Sequence, residues 1–345
     1  MVQEYRKYWN PKMETIHRKE LEELQMRKLR KQLAYVYEHS PFYGPKLREA
    51  KVNPAKIKTI EDFERYVPIT SKPELRAAMD RTGNALPHLC TSIDNTRVIM
   101  GSVGTTGEST YFPMTRKDFE LYSEACCRGL WLGGFRPGMV CHYICPALVA
   151  PLHAFAFMHM LQVSLIVNGV EPQYIGRVIA MSKLVKPEAF MLPVPFYMAI
   201  ENELAKEGLI PKDIFNYKYF INYGDIFDKK LRERIEKVWG GVHTSSGGSA
   251  ADIGAHCWGN EVEHNGLHFL DEDTIMIEVV NLKTGKAVNS GERGELVFTT
   301  LTREAAPHIR WRTEDLVKAN YEPCSCGRTS LRVNYVGRVT FKVVV

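Results

Sequence analysis

The stretch Gly101–Thr110, GSVGTTGEST, combines three glycines with five serine or threonine residues. Glycines let a backbone approach a phosphate group closely, and N–H and hydroxyl groups can donate hydrogen bonds to its oxygens. The G-x-x-x-x-G-K-[ST] spacing of the common nucleotide-hydrolase loop is absent, and so is its lysine. Two interpretations follow: a phosphate-binding loop, or a plain connecting loop of the kind that Gly/Ser/Thr clusters often form.

A second group of chemically capable side chains lies toward the end of the chain. Cys324 and Cys326 are spaced C-x-C, Cys257 precedes them, and His264 and His268 lie between. Thiolate and imidazole are the ligands of tetrahedral structural zinc, although C-x-C is tighter than the usual C-x₂₋₄-C. One interpretation is a zinc ion held by the three cysteines and one histidine, His268 rather than His264. The other is a set of reduced, uncoordinated thiols near a β-hairpin.

The composition is that of a globular protein with a sizeable core. The 345 residues exceed a usual single domain, so one large multilayer domain or two ordinary ones are expected. Lysine and arginine number 45 against 40 acidic residues, and this modest excess does not call for a nucleic-acid partner. The N-terminus, MVQEYRKYWNPK, lacks the apolar region of a secretory signal. Eight cysteines without a disulfide-like pattern suit a reducing compartment, so a cytoplasmic location is expected.

One segment, between Arg136 and Glu171, has no charged residue and is long enough to cross a bilayer. Its details favour a different structure. MVCHYIC favours a strand, PLHAFAFMHMLQ has helical length and two histidines, and SLIVNG ends at an Asn-Gly turn. Buried parallel strands typically read as continuous apolar runs, so we predict strand, helix and strand, with no membrane span.

The remaining patterns predict an α/β fold with a mainly parallel sheet. Helices are predicted over residues 13–37, on both sides of the proline in KTIEDFERYVPITSKPELR, from Thr115, and over DKKLRERIEKVWG; TRVIMG and KYFINYG are predicted strands. After Gly266 the alternation of apolar and polar residues around a Lys-Thr-Gly turn predicts a smaller, barrel-like antiparallel β subdomain. The expected organisation is a helical part (1–90), an α/β core that binds nucleotide and acyl group (91–262), the β subdomain (263–338) and the start of a hinge (339–345).

The order of these motifs resembles the phenylacetate–CoA ligase branch of the adenylate-forming enzymes, the acyl-CoA synthetase superfamily. VGTTGEST leads into MTRKDFE, with SPFYG and PITSKPELR upstream and NYGDIFDKKLRERIE, CSCGRT and VGR downstream. The most specific match is GELVFTTLT followed by IRWRTEDL. The resemblance covers essentially the whole chain and implies the family's large N-terminal domain, with parallel sheets flanked by helices.

The resemblance implies a two-step reaction that uses ATP, Mg²⁺ and CoA. A carboxylate attacks the α-phosphorus of ATP, which gives an acyl-adenylate and pyrophosphate, and the CoA thiolate then displaces AMP. Such chemistry requires neutralised phosphate charge and in-line positioning. By matching positions, the phosphates would be held by Ser102, Gly104, Thr105, Thr106 and Gly107, with the two threonines in the catalytic role.

The same matching assigns the rest of the nucleotide. Asp315 of RTEDL would bind the ribose hydroxyls with help from Arg338 of VGR, and the adenine would lie beside Gly224 and Asp225, with Ser246 also in the nucleotide site. From the residues alone, Asp315 could equally cap a turn or pair with Arg312, and Arg338 could be an ordinary surface cation.

The sequence departs from the family at three places. Glu108 stands where the family loop usually has lysine, and a carboxylate facing triphosphate is repulsive unless a metal intervenes. Where the family has a Tyr-Gly-x-[ST]-Glu segment whose Glu helps to hold Mg²⁺, this chain reads HTSSGGSAAD, with Gly247 near the Glu position and Asp252 as a substitute ligand. The family continues past GR-x-D-D into a C-terminal domain, whereas this sequence ends at GRVTFKVVV. Two interpretations stay open: a chain cut at the hinge, which the apolar KVVV end favours, or a protein that lacks this domain.

The acyl pocket is expected beside His142, Tyr143, Phe155 and Pro193 of the MLPVPFY segment, whose aromatic and apolar character suits an aryl or arylacetic acid. Buried core is an equal alternative for Phe155. The expected partner is this small carboxylate, in a chain that could form a homodimer. Two other functions stay open: a non-catalytic relative that binds nucleotide or acyl ligand as a sensor or subunit, and transfer of AMP to a deazaflavin-type phenol.

Overall fold

A computed structural model of the chain describes residues 5–101, 109–145, 150–223, 229–240, 243–250 and 255–339. The described helices are α1 (Pro11–Glu14), α2 (Arg18–His39), α3 (Tyr43–Glu49), α4 (Ile60–Tyr66), α5 (Lys72–Thr82), α6 (Arg116–Leu132), α7 (Ala150–Phe155), α8 (Ile175–Val185), α9 (Val194–Ala205), α10 (Pro211–Ile214), α11 (Lys229–Trp239) and α12 (Glu261–His264). The described strands are β1 (Thr96–Gly101), β2 (Tyr111–Thr115), β3 (Val140–Ile144), β4 (Ser164–Asn168), β5 (Ala189–Leu192), β6 (Tyr219–Tyr223), β7 (His243–Ala250), β8 (Ala255–Gly259), β9 (Leu267–Phe269), β10 (Ile275–Val280), β11 (Arg293–Thr300), β12 (Trp311–Asn320) and β13 (Arg332–Arg338).

The chain folds as two compact units whose segments interleave along the sequence. The first unit comprises residues 1–14, 123–249 and 256–270, and the second comprises 15–122, 250–255 and 271–345. The predicted parts follow chain order, whereas these units do not. The two are therefore described separately below.

The first unit contains the parallel sheet that the sequence predicts. Its strands follow the order β9-β8-β7-β6-β5-β3-β4, and β4, β3, β5, β6 and β7 pair in parallel. The predicted strand, helix and strand are β3, α7 with a π-helical continuation, and β4, which confirms that assignment. Strand β5 was not predicted, because four buried residues with the sequence AFML give too short a pattern to separate strand from helix.

Apolar side chains cover both faces of this sheet. Phe190 and its neighbour Met191 in β5 belong to different core clusters, because successive strand residues point to opposite faces. Phe190 packs with Tyr197 of α9 and Trp239 of α11, whereas Met191 joins the cluster that contains Trp258. The α/β fold is thus built from strands buried on both sides, as is typical of parallel sheets.

The second unit opens with the predicted amphipathic helix. Helix α2 begins at Arg18, later than the predicted residue 13, because His17 is the N-cap and its side chain accepts a hydrogen bond from the Lys19 N–H. The helix buries Leu29, Leu33 and other predicted apolar residues against Phe63 of α4. Helices α4 and α5 lie where the sequence predicts them, with Ser71 as the N-cap of α5.

The TRVIMG strand was wrongly predicted to accompany the parallel sheet. It is β1, which pairs antiparallel with β2 in a two-stranded sheet, Gly101 opposite Tyr111. Strand β2, YFPMT, was not predicted, since its proline is a signal against a strand. The partner of a short strand is set by tertiary structure, which the local pattern does not record.

The antiparallel region after Gly266 is confirmed. Strands β10, β11, β12 and β13 pair consecutively, in an open order among the described strands rather than the closed order of a barrel. The Lys-Thr-Gly turn ends at Gly285, whose φ of 65° is the left-handed conformation that glycine adopts without strain. This meander carries the RTEDL and VGR motifs.

Within the described ranges, every helix is too short or too polar to cross a membrane.

Candidate active site

The glycine-rich loop joins β1 to β2 in the second unit. Its residues Ser102, Gly104, Thr105, Thr106, Gly107 and Glu108 lie outside the described residues, so their proposed roles stay predictions. The flanking strands are described, and their pairing brings both ends of the loop together at Gly101 and Tyr111. A glycine-rich connection of this kind, held at both ends by a two-stranded sheet, suits close approach to a ligand.

Asp118 anchors the chain that leaves this loop. Its buried carboxylate accepts hydrogen bonds from the backbone N–H groups of Thr115 (3.0 Å), Glu304 (2.7 Å) and Ala305 (2.9 Å). The Asp118 N–H in turn donates to the Thr115 hydroxyl at 3.1 Å, which completes a capping box at the start of α6. Asp118 therefore ties the end of β2 to the segment after β11. We did not identify this residue from sequence, although the T-x-x-D spacing in MTRKDFE was a usable signal.

Asp315 and Arg338 lie opposite each other on β12 and β13. Arg338 Nε donates to Asp315 Oδ1 at 3.1 Å, and a second guanidinium nitrogen donates to the Thr313 carbonyl at 3.1 Å. Next to Asp315, Glu314 has a φ of 65°, and the strand register shifts after Leu316. A β-bulge of this kind re-aims side chains. The two residues that the sequence assigned to the ribose are thus joined in one partly exposed pair.

The alternative partner for Asp315, Arg312, is already engaged. Arg312 Nε lies 3.0 Å from both carboxylate oxygens of Glu295, a buried residue of the neighbouring strand β11. Glu295 also accepts a hydrogen bond from the Glu314 N–H at 3.2 Å. The Arg312–Glu295 pair therefore stabilises the bulge on its buried side, and the Asp315–Arg338 pair forms on its more exposed side.

The other predicted nucleotide residues belong to the first unit. Gly224 and Asp225 lie outside the described residues. Ser246 is buried in β7, in register with Asn222 of β6. Open parallel sheets bind ligands at the carboxyl ends of their strands, and Ser246 lies beside the next-to-last residue of β6. Its position in the fold is compatible with the predicted role.

His142 and Tyr143 were predicted to border one pocket, but they point to opposite faces of β3. The two ring nitrogens of His142 lie 3.0 Å from Ser182 Oγ and 2.7 Å from Asn168 Oδ1, inside the core. Burial lowers the pKa of His142, which keeps its ring neutral. Tyr217 extends this chain of contacts, with its hydroxyl 2.6 Å from Ser182 Oγ. His142 is thus part of a satisfied core network.

Tyr143, on the other face, contacts a second histidine. Its hydroxyl lies 2.8 Å from His153 Nδ1, and the His153 ring lies 6.3 Å from the Trp258 ring. Burial lowers the pKa of His153 to about 4. Two further predicted pocket residues are half-buried. The Phe155 ring lies 4.9 Å from the His159 ring, centroid to centroid, and Pro193 lies just past the carboxyl end of β5.

Gly247, which the sequence resemblance puts near the position of the family's metal-binding glutamate, has no room for a side chain. A Cβ atom there would lie 2.8 Å from the ring of Trp258, and one at Gly129 of α6 would lie 2.2 Å from the same ring. The buried indole therefore fits between two glycine backbones. Asp252, the substitute ligand suggested by the sequence, lies outside the described residues. Trp258 was not identified from sequence, because only the fold brings it beside Gly247.

The predicted zinc ligands are divided between the units. In the first unit, Cys257 is opposite Phe269 on β9 and its Sγ lies 3.6 Å from the Gly248 carbonyl oxygen. His268 is buried opposite Trp258, so it points to the other face of this strand pair from Cys257. His264, the alternative histidine, has its ring 5.3 Å from that of His268.

In the second unit, Cys324 and Cys326 lie in the connection between β12 and β13. Their Sγ atoms lie within 4.8 Å of each other, and the Arg328 N–H lies 3.4 Å from Cys326 Sγ. Burial, with the Cys324 thiol beside it, raises the pKa of Cys326. Two converging thiols on one tight turn can act as a pair of metal ligands.

Comparison with known proteins places these features in a family. No protein-family model matches the chain. The phenylacetate–coenzyme A ligase of Thermus thermophilus is 30% identical over 341 residues, which are 98% of this chain and 74% of that protein. The phenylacetate–coenzyme A ligase of Escherichia coli is 26% identical over 311 residues, which are 89% of this chain and 69% of that protein.

The solved structures that resemble this chain are also CoA ligases. A 2-hydroxyisobutyryl-CoA ligase in complex with 2-HIB-AMP and CoA, in its thioesterification state, has a TM-score of 0.89 at 27% identity, covering 99% of this chain and 73% of that one. An open conformation of the ligase has a TM-score of 0.88 at 25% identity, covering 98% and 79%. Because the likeness runs along nearly the whole sequence, the chain belongs to the phenylacetate–CoA ligase family of adenylate-forming acid–thiol ligases.

Proposed function

We propose that this protein activates an aromatic carboxylate with ATP and transfers the acyl group to CoA. A carboxylate oxygen bonds to the α-phosphorus as the bond to pyrophosphate breaks, and the CoA sulfur then bonds to the acyl carbon as the bond to AMP breaks. The observation that carries the proposal is the 30% identity to a phenylacetate–CoA ligase across 98% of the chain. The neighbouring structures contain an acyl-AMP and CoA, which supports both steps.

We assign the ribose of the nucleotide to Asp315 and Arg338. The Asp315 carboxylate accepts the Arg338 Nε hydrogen bond on one oxygen, and an ionised carboxylate has about four lone-pair sites. The arginine orients this acceptor, and a ribose hydroxyl can donate to it. The phosphate roles of the glycine-rich loop and the adenine and nucleotide roles of Gly224, Asp225 and Ser246 belong to the same proposal and rest on the family resemblance.

Magnesium reaches such a site bound to ATP, where it neutralises phosphate charge. Residue 247 offers it no carboxylate, and the Trp258 indole fills the space that a larger side chain would need. The described residues at this position therefore do not fit the family's metal ligand. We infer that a different side chain completes the Mg²⁺ coordination, and no step of the reaction is assigned to residue 247.

For the acyl pocket we keep Tyr143, Phe155 and Pro193 as proposed border residues. The core network around His142 gives no support for that residue. The Tyr143–His153 contact places polar atoms among otherwise apolar side chains. A comparison of two substrates is therefore informative: phenylacetate, which has no hydroxyl group, and 2-hydroxyisobutyrate, which has one.

The experiment is carboxylate-dependent release of pyrophosphate from ATP and Mg²⁺, measured with each of these two acids. We expect turnover with phenylacetate, and a loss of at least tenfold in kcat/KM for ATP in Asp315→Ala. Arg116→Ala, which removes an exposed ion pair with Glu120, is the control and should match the parent. Tight ATP binding without pyrophosphate release for any carboxylate would overturn the ligase proposal.

That last outcome would favour a second candidate, a non-catalytic nucleotide or acyl sensor. The observation in its favour is the close packing of Trp258 against Gly247, which removes a position where the family has a metal ligand. AMP found on a phenolic acceptor instead of a carboxylate would point to the third function, nucleotidyl transfer.

We also propose a structural zinc ion bound by Cys324 and Cys326, with His268 as a further predicted ligand. Cys257 points to the other face of its strand pair from His268, so its predicted place in the same ligand set has no support. The support within the second unit is the convergence of the two thiols on one turn. Metal analysis of the purified protein should find zinc, and Cys324→Ser should lower its content. The eight cysteines, all among the described residues, form no disulfide, which supports the cytoplasmic proposal. The homodimer stays a prediction from sequence.

A further inference from the structure

The start of helix α6 contains a buried junction between two distant segments of the second unit. Asp118 is only 2% exposed, and its carboxylate accepts backbone hydrogen bonds from Thr115 on one side and from Glu304 and Ala305 on the other. Thr115 is the last residue of β2, and residues 304 and 305 lie between β11 and β12. We call these four residues the Asp118 junction.

The junction does more than cap a helix. A capping box needs only the reciprocal contacts between Thr115 and Asp118, which are three residues apart. The contacts with Glu304 and Ala305 span 186 and 187 residues of sequence, and they use both oxygens of the carboxylate. Hydrogen bonds to an ionised acceptor are roughly twice as strong as those between neutral groups. Asp118 therefore fixes the end of β2 against the segment that follows β11.

Side chains of the same segments add a second set of contacts. Thr115 Oγ1 donates to Glu304 Oε2 at 3.0 Å, and Lys117 Nζ donates to Glu304 Oε1 at 2.5 Å. The Thr115 hydroxyl also accepts the Asp118 N–H at 3.1 Å, so it uses both its proton and a lone pair within the junction. The end of β2 is thus held through its backbone and through its side chain.

The segment on the other side of the junction is itself held firmly. Three consecutive carbonyl groups each accept a hydrogen bond: Arg303 from Gln32 (2.8 Å), Glu304 from Tyr35 (2.9 Å) and Ala305 from Cys90 (2.8 Å). The chain then continues into β12, the strand that carries Asp315. The junction therefore joins the β1–β2 pair, which bears the glycine-rich loop, to the part of the second unit that leads to the proposed ribose acceptor.

We propose that Asp118 is a positioning residue for the adenylation step. By fixing the end of β2, it sets where the two ends of the glycine-rich loop lie relative to Asp315, and so aligns the phosphates with the ribose of the same nucleotide. A misplacement of about 1 Å can cost roughly a hundredfold in rate. Asp118 is buried and acts through the strand, without touching the nucleotide. The inference rests on the proposed function, because it assumes that the loop binds phosphate.

The test compares the affinities of ATP and AMP for the parent chain and for Asp118→Asn. The amide keeps the size of the side chain but presents N–H groups where the carboxylate accepts them. AMP has one phosphate and ATP has three, so a displaced loop should weaken ATP binding more. We expect a loss of about tenfold for ATP and of less than about threefold for AMP, with kcat for pyrophosphate release also lowered.

A second variant, Thr115→Val, loosens the junction from its other side. It removes the hydroxyl contacts with Asp118 and Glu304 and nearly keeps the size of the side chain. It should change the ratio of ATP to AMP affinity in the same direction by a smaller factor, and it decides the question if Asp118→Asn does not fold. Arg116→Ala is the matched control on the same turn, because its side chain is 83% exposed. Ser182→Ala, which perturbs the core of the first unit, is the control for lost stability alone, and both controls should keep the ratio.

Three results would contradict the inference. If the parent releases pyrophosphate and both variants keep its ratio of ATP to AMP affinity, the ligase proposal stands and the role of Asp118 is refuted. Equal weakening of ATP and AMP, in step with the free energy of unfolding, would make Asp118 a structural residue only. A parent chain that binds no ATP would overturn the ligase proposal and this inference together.

Discussion

Two buried networks, one in each unit, satisfy their polar side chains by different means. In the first unit, neutral groups bond to one another: His142 contacts Ser182 and Asn168, and Ser182 contacts Tyr217. In the second unit, buried carboxylates bond to arginines, as in the Glu278–Arg310 pair. Neutral networks cost less desolvation than ion pairs, whereas ion pairs concentrate charge at defined places.

Three carboxylate–arginine pairs of the second unit also show a gradient of exposure. The Glu278 and Arg310 side chains are 5% and 4% exposed, those of Glu295 and Arg312 are 1% and 27%, and those of Asp315 and Arg338 are 22% and 56%. Only the last of these pairs presents both charges to solvent. We infer that the first two pairs stabilise the meander and that the third is available for a ligand.

The largest effect is expected for Glu278→Ala. The substitution leaves Arg310 charged and buried without its partner, which should cost about 3–5 kcal/mol in the free energy of unfolding. Urea denaturation measures this directly. The exposed pair Arg116–Glu120 is the control, because Arg116→Ala should leave the urea midpoint unchanged. Equal effects of the two variants would break the distinction between buried and exposed pairs.

A pH effect of similar size is expected from His88 of the second unit. Neither ring nitrogen of His88 has a hydrogen-bond partner among the described residues, and burial lowers its pKa to about 4. The unfolded chain protonates this residue near its ordinary pKa, about 6.5, so the folded state loses stability as the pH falls from 6.5 toward 4. The loss amounts to about 3 kcal/mol. In His88→Phe, unfolding free energies should depend less on pH over this range.

His153 of the first unit sharpens this comparison. Its pKa is also lowered to about 4, but its Nδ1 contacts the Tyr143 hydroxyl. His153→Phe should therefore flatten the same pH range and, unlike His88→Phe, lower stability at neutral pH by about 1–3 kcal/mol. A neutral-pH loss in His88→Phe that matches the loss in His153→Phe would contradict the difference between the two histidines.

A smaller effect is expected for Ser182→Ala in the neutral network. The change leaves His142 Nδ1 and the Tyr217 hydroxyl without their shared partner, at a cost of about 1–3 kcal/mol. Ser164→Ala at an exposed site of β4 is the control and should change the unfolding free energy by less than about 0.5 kcal/mol. If Ser182→Ala is as neutral as the control, the network does not stabilise the first unit.

Much of this architecture could be predicted from sequence where the pattern is local. The strand, helix and strand from Val140 to Asn168 follow from apolar runs and turns, and the N-cap at Ser71 follows from residue types. The alternation of strand side chains could also have separated His142 from Tyr143. Features set by pairing do not follow from local patterns. The antiparallel partner of β1 was missed. The residues alone left both Arg312 and an unpaired Arg338 open, and only the family resemblance brought Arg338 together with Asp315. The packing of Trp258 against Gly247 joins residues on different strands, so no short pattern contains it.

The most direct test of the exposed pair's role is the ATP dissociation constant of Asp315→Ala, measured beside its unfolding free energy. We expect ATP binding at least tenfold weaker than in the parent, with stability changed by no more than about 1 kcal/mol, because the pair is partly exposed. Unchanged ATP affinity together with a loss of several kcal/mol in stability would contradict this, and would make Asp315–Arg338 one more structural ion pair of the meander.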